Sequence, residues 1–367
     1  MIGSIYVVSI GSRTKPMYLD FKNHKIGRRG KILRADAKLG YVPIPDSRGA
    51  EPFPIGRYVP VRYDQDGFRV PLEDESRASP DPHPMMLALG CSFTYGVGVS
   101  AENTYPHLAG QYLGGTVRNA AMPGYGLSQM VILAKRLVPV HKPDYLLVQY
   151  SPWLVDRAQS PFAPGNFGRL PTPYFIARRD GLRIHPPVFM TKKFDLPTEK
   201  YWNSEISFLD QMSFLRDIGL PLYIHDDFHM SLYRLKNVLG LVTRPASNRE
   251  QIIKTAYGEI GKVARAHGTK FLIVILGTDS APVLIPENVF PLDAVIVRAH
   301  DALIARLPVA GQEAYAKSYY TWGGSPPRVV DAHPNEKAHR IIAESIIRRL
   351  NDAAEPRPKN GSPAASR

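Results

Sequence analysis

Residues 85–99, MMLALGCSFTYGVGV, decide the fold class. Met85–Leu89 is an unbroken apolar run of strand length, ended by Gly90. A run without polar alternation suits a strand covered on both faces, as in a parallel sheet between helix layers. Comparable runs recur at Val117–Ala121, Tyr145–Tyr150, Lys270–Leu276 and Ala294–Arg298. Helical patterns fall between them, near 102–113, 128–139 and 248–267, and a last helix is expected from about Pro334 to Leu350. Strands alternating with helices predict an α/β fold with a central parallel sheet and helices on both faces.

Outward from this body the texture changes. Residues 1–84 are rich in proline and glycine, with short alternating pieces at Ile5–Ser9, Tyr58–Tyr63 and Gly67–Val70 and a turn signal at Asp66-Gly67. They read as extended chain or a small hairpin wrapped on the main body, joined to it by the acidic linker Glu73–Pro84. Residues 85–350 form the main domain. About 120 residues separate its third strand from its fourth, far more than a crossover needs. This stretch, 151–269, reads as an aromatic-rich insertion with helical pieces near 203–217 and 227–239, expected to roof the cleft. Residues 351–367 have the composition of a disordered tail.

The 367-residue chain carries a formal charge of +13 and one cysteine, Cys91. A single cysteine excludes an intrachain disulfide and any multi-cysteine metal site. Residues 1–40 hold nine Lys/Arg against two acidic residues, and residues 348–367 hold five against two. The excess therefore sits at the ends as solvated basic segments, and no nucleic-acid partner is expected; an anionic partner for the N-terminal segment is the alternative. No apolar run approaches the roughly 18 residues of a membrane helix. The first residues lack a basic region ahead of a long apolar stretch, so no cleaved signal peptide is expected and a cytoplasmic location is.

Three segments carry chemistry. In LALGCSFTYGVGV (87–99), Ser92 falls just beyond the carboxyl end of a buried strand, where open parallel sheets bind ligands. Its hydroxyl can face a cleft and its N–H an oxyanion, or it can simply cap the turn. Cys91 is a rival nucleophile that more naturally packs inward. In VVDAHPNEKAHRIIAESI (329–346), Pro334 suits a first helical position, which places His333 at the cap with Asp331 in the preceding loop. That pair can be a base and its orienting carboxylate, or plain capping. The two residues are too few for a metal site, and no cofactor is expected. His339 should be turned away from His333, on the surface. In RNAAMPGYGLSQM (118–130), Gly124 can bring a bare N–H near an oxyanion or serve only as a turn residue.

Taken in order, GxSF, NxxxPGYG and DxHPN resemble the SGNH hydrolases, the GDSL esterase/lipase superfamily, over about 85–350 without most of the insertion. Asn119, ENTYPHLAG and YDQDGFRVP are similar to bacterial members too. The resemblance implies a flavodoxin-like three-layer α/β/α fold and a serine esterase acting on acyl esters, O-acetyl groups on carbohydrate among them. It implies Ser92 as nucleophile, His333 as base, Asp331 as its orienter, and an oxyanion hole of the Ser92 and Gly124 N–H groups. An acyltransferase on the same scaffold and a non-catalytic binding module are the alternatives. Two positions depart from the family pattern. Cys91 stands where the family has aspartate. The family's Gly-x-Asn-Asp, whose asparagine donates to the oxyanion, is YSPWLVDR (150–157) here, with Trp153 near the asparagine position and Asp156 too late. Ser151 or the backbone beside it is then favoured as a replacement donor over the indole of Trp153, with Trp153 as a wall of the substrate site.

Overall fold

A computed structural model describes residues 32–53, 57–73, 83–161, 163, 172–187, 235, 238–240 and 245–354. The piece at Ile5–Ser9, the helix near 203–217, most of that near 227–239 and the tail beyond 354 lie outside the described residues.

The central strand is β6 (Met85–Leu89), all five residues buried. It pairs in parallel with β7 (Thr116–Asn119) on one side and with β8 (Tyr145–Tyr150) on the other. Beyond β8 come β11 (Lys270–Ile275) and β12 (Val295–Val297), also parallel. The order β12-β11-β8-β6-β7 is the flavodoxin-like arrangement. The chain reverses direction across the sheet between β6 and β8, and at the carboxyl ends of two such strands open sheets of this kind bind their ligands. The strands β6 and β8 occupy the residues expected from their apolar runs, since burial on both faces keeps them apolar but for the one amide of β8, Gln149.

The helices α2 (Tyr105–Tyr112), α3 (Leu127–His141) and α5 (Arg249–Ala266) alternate with these strands, and α8 (Glu336–Ala354) closes the domain. The helix α3 packs on α5 and α2 on α8, which makes the two outer layers. Ahead of α2, residues Ala101–Asn103 form a separate 3-10 turn and not the start of one long helix, closed by the Thr104 hydroxyl on the Ala101 carbonyl at 2.7 Å. Among the described residues no helix is long and apolar enough to cross a membrane.

The N-terminal strands do more than wrap the body. After the hairpin β1 (Leu33–Asp36) and β2 (Gly40–Pro43), the strands β3 (Arg48–Phe53), β4 (Arg57–Tyr63) and β5 (Arg69–Val70) form an antiparallel meander. It continues the main sheet through the pairing of Arg69 with Asn119 of β7, giving eight strands. Asp64 drives the β4–β5 turn: its carboxylate accepts the N–H groups of Asp66 and Phe68. Within 151–269, the elements among the described residues include the short helix α4 (Pro152–Ala158), the hairpin β9 (Tyr174–Arg178) and β10 (Gly181–His185), and α5. The remaining elements are the short helices α1 (Ser92–Tyr95), α6 (Ala299–Ala305) and α7 (Gln312–Tyr319) and the hairpin β13 (Thr321–Gly323) and β14 (Arg328–Asp331).

Candidate active site

The turn after β6 is built by close packing. A Cβ at Gly90 would lie 1.9 Å from Thr94 Oγ1, 2.4 Å from Thr94 Cβ and 2.9 Å from Gln149 Oε1. Thr94 and Gln149 are fully buried and cannot yield. Gly90→Ala should therefore destabilise the fold by about 2–4 kcal/mol, read as a lowered urea midpoint with unchanged slope. A midpoint within error of wild type would mean that the turn is loosely packed.

Gln149, on β8, organises this turn. Its Oε1 accepts from the Cys91 N–H (3.1 Å), the Thr94 hydroxyl (2.8 Å) and the Cys91 thiol (3.3 Å). Its Nε2 donates to Ser151 Oγ at 2.8 Å. It thus does the work of a cap for α1, whose own cap residue Cys91 makes no side-chain capping bond. Cys91 is buried and turned inward, as expected. Ser151, expected on the cleft, is instead fully buried in the Gln149 network. A polar side chain in the middle of a strand end must find partners inside, and the serine beside it is one of them.

The second turn follows β7. Asn119 ties it to the first: its Nδ2 donates to the Thr94 carbonyl and its Oδ1 accepts from the Ala121 N–H, both at 3.1 Å. Gly124 has φ +83°, the left-handed region that glycine enters without strain. Neither the Ser92 N–H nor the Gly124 N–H has a partner among the described residues.

The third segment departs from expectation at its helix start. The helix α8 begins at Glu336, and Asn335 caps it, its Oδ1 accepting the Ala338 N–H at 3.1 Å. Asparagine is the better cap, so Pro334 and His333 stay outside the helix. Asp331 is the last residue of β14 and not a loop residue. Its carboxylate accepts both the His333 backbone N–H (2.8 Å) and the His333 ring Nδ1 (2.9 Å). With Nδ1 so engaged, Nε2 is the ring nitrogen left to take a proton.

His333 lies edge-on to Phe93, centroids 5.5 Å apart, and Phe93 in turn lies edge-on to Trp153 at 5.1 Å. The imidazole thus abuts the neighbour of Ser92, and the half-buried Trp153 packs against the same ring. The serine hydroxyl does not hydrogen-bond to His333: it lies 3.8 Å from Cys91 Sγ. To pass its proton to the imidazole it must leave that position. Asp156 sits on the surface, paired with Arg249.

His339 is buried, not exposed. Its Nδ1 accepts the Tyr105 N–H at 3.1 Å and its ring stacks on Tyr105. Burial, with the charges of Arg69 and His333, pushes it down to about 3, so it is neutral at ordinary pH. The six-residue offset from His333 turned it away from the cleft, but away from the cleft is here toward α2. The neighbourhood also holds three residues that sequence reasoning did not single out. Arg69 of β5 donates to the carbonyls of Tyr95, Gly96 (2.8 Å) and Val99 (2.6 Å), just downstream of Ser92. Its guanidinium lies 4.2 Å from the Tyr95 ring centroid. Glu51 of β3 accepts from the Tyr95 hydroxyl at 2.8 Å, and burial raises its carboxyl while Arg69, Tyr95 and His333 lower it. Gln149 left one signal in the sequence: it is the one amide in an otherwise apolar and aromatic strand, YLLVQY.

No family model matches the chain, and no curated protein matches it. Among solved structures it is similar to TesA, at 12% identity and TM-score 0.35 over 73% of this chain and 98% of that one. It is similar to a member of the lipolytic protein G-D-S-L family from Veillonella parvula DSM 2008, at 8% identity and TM-score 0.34 over 72% and 96%. It is also similar to a two-domain esterase (CEX) active on acetylated mannans, at 12% identity and TM-score 0.35, covering 76% of this chain and 52% of that one.

Proposed function

We propose that this chain is a serine esterase of the SGNH type. The observation that carries the reading is the Asp331–His333 pair, bonded at 2.9 Å and seated against Phe93 beside Ser92. Ser92 and Phe93 follow the carboxyl end of β6, where such a sheet binds ligands. Ser92 Oγ attacks the ester carbonyl carbon while its proton passes to His333 Nε2. The carbonyl π electrons move to oxygen, and that oxyanion accepts from the Ser92 and Gly124 N–H groups. Collapse expels the alcohol, which takes the proton from His333. Water then cleaves the acyl-enzyme by the same steps and releases the carboxylic acid. Small-molecule and carbohydrate acyl esters are the substrate class, O-acetyl groups the first to try. A fluorophosphonate probe should label the protein on Ser92, as located by peptide mass spectrometry. A folded protein that takes no label would favour a binding module.

With Ser151 buried, the third oxyanion donor is either backbone or the Trp153 indole. Trp153 packs its ring on Phe93 and serves as a wall. Trp153→Phe should keep kcat on a nitrophenyl ester within about threefold; a fall of about a hundredfold with KM unchanged would make the indole N–H the donor.

A further inference from the structure

We infer that Tyr41, on the N-terminal strand β2, is a positioning residue for the oxyanion hole. The inference rests on the reading of Gly124 as an oxyanion donor. The Tyr41 hydroxyl donates to the Pro123 carbonyl at 2.6 Å. That carbonyl and the Gly124 N–H belong to one peptide unit, which is planar and trans, so the two groups point in opposite directions. A hydrogen bond that holds the carbonyl therefore also aims the N–H. It polarises the same amide as well, which makes the N–H a better donor.

The anchor is rigid. Tyr41 is 1% exposed, and burial holds its hydroxyl far above the ordinary range, so it remains a proton donor. Tyr125, on the other side of Gly124, donates back to the Tyr41 carbonyl at 2.6 Å. The two rings pack at 5.3 Å between centroids. This reciprocal pair links the turn to the N-terminal hairpin. The N-terminal segment thereby becomes part of the catalytic apparatus, although it lies outside the stretch of sequence that carries the three motifs.

The test compares Tyr41→Phe with Tyr125→Phe, both isosteric, in the full-length protein below both unfolding midpoints. Tyr125→Phe removes a buried bond of the same length from the same pair but leaves the Pro123 carbonyl held. Tyr41→Phe should lower kcat on a nitrophenyl ester about tenfold, with KM within about twofold, and slow fluorophosphonate labelling by the same factor. Tyr125→Phe should lower the midpoint comparably and leave kcat within about twofold. Wild-type kcat in Tyr41→Phe, equal falls in both variants, or a change confined to KM would each overturn the positioning role while leaving the esterase reading intact. Failure of the wild type to label on Ser92 would overturn both.

Discussion

Ser92→Ala should abolish fluorophosphonate labelling and lower ester turnover by a factor of about 10⁴ or more, since the nucleophile and the proton it passes to His333 are lost together. The fold should not notice. The Ser92 hydroxyl makes one long contact, 3.8 Å to Cys91 Sγ, and the backbone bonds of α1 do not depend on it. Circular dichroism and the urea midpoint should match wild type. Cys91→Ala is the matched comparison. The thiol is buried and donates to Gln149, so its loss should cost some stability and leave labelling in place. Labelling that survives Ser92→Ala and vanishes in Cys91→Ala would transfer the nucleophile to the thiol and sink the serine mechanism.

Asp331→Asn should be nearly as severe, with kcat falling by about 10³–10⁴. The carboxylate has two tasks. It accepts the His333 backbone N–H, which shapes the loop, and it accepts the ring Nδ1–H, which leaves Nε2 free to act as base. Asparagine keeps an oxygen for the backbone bond, so the loop should hold its shape. Its NH2 group can instead face the ring, which favours the tautomer with the proton on Nε2, and that tautomer cannot take the serine proton. Near-wild-type KM and midpoint with a collapsed kcat is the expected signature. A kcat within tenfold of wild type would mean that Asp331 shapes the loop and does no more.

How much of this was legible in the sequence varied with the kind of interaction. Met85–Leu89 and Tyr145–Tyr150 could be read to the residue because a strand buried on both faces is predominantly apolar, a property of the segment itself that the single amide Gln149 does not hide. Ser92, Gly124 and the Asp331–His333 pair were legible as positions, since each follows a strand end or precedes a helix. The start of α8 was not: His333-Pro334 and Asn335 are all reasonable helix-start residues, and the choice fell to Asn335 through its bonds to Ala338 and, from Nδ2, to the Ser318 carbonyl of α7. His339 was misplaced for a similar reason. Helical spacing said which way it faces, but whether that side meets water or another helix depends on α2, more than 200 residues earlier in the chain.

The sequence by itself determined the parallel core, the order of its strands along the chain and the residues at their carboxyl ends, because apolar periodicity and turn chemistry act between near neighbours. Only the tertiary structure decided that Gln149 caps the turn after β6, that Ser151 is buried against Gln149, and that β5, Glu51 and Tyr41 reach the turns around Ser92 and Gly124. Apart from the Gln149–Ser151 bond, which follows once Gln149 is turned inward, those are hydrogen bonds between residues tens of positions apart. Whether such donors and acceptors meet is set by how the strands stack side by side, and a polar residue in a strand carries no mark of the partner that the next strand will bring.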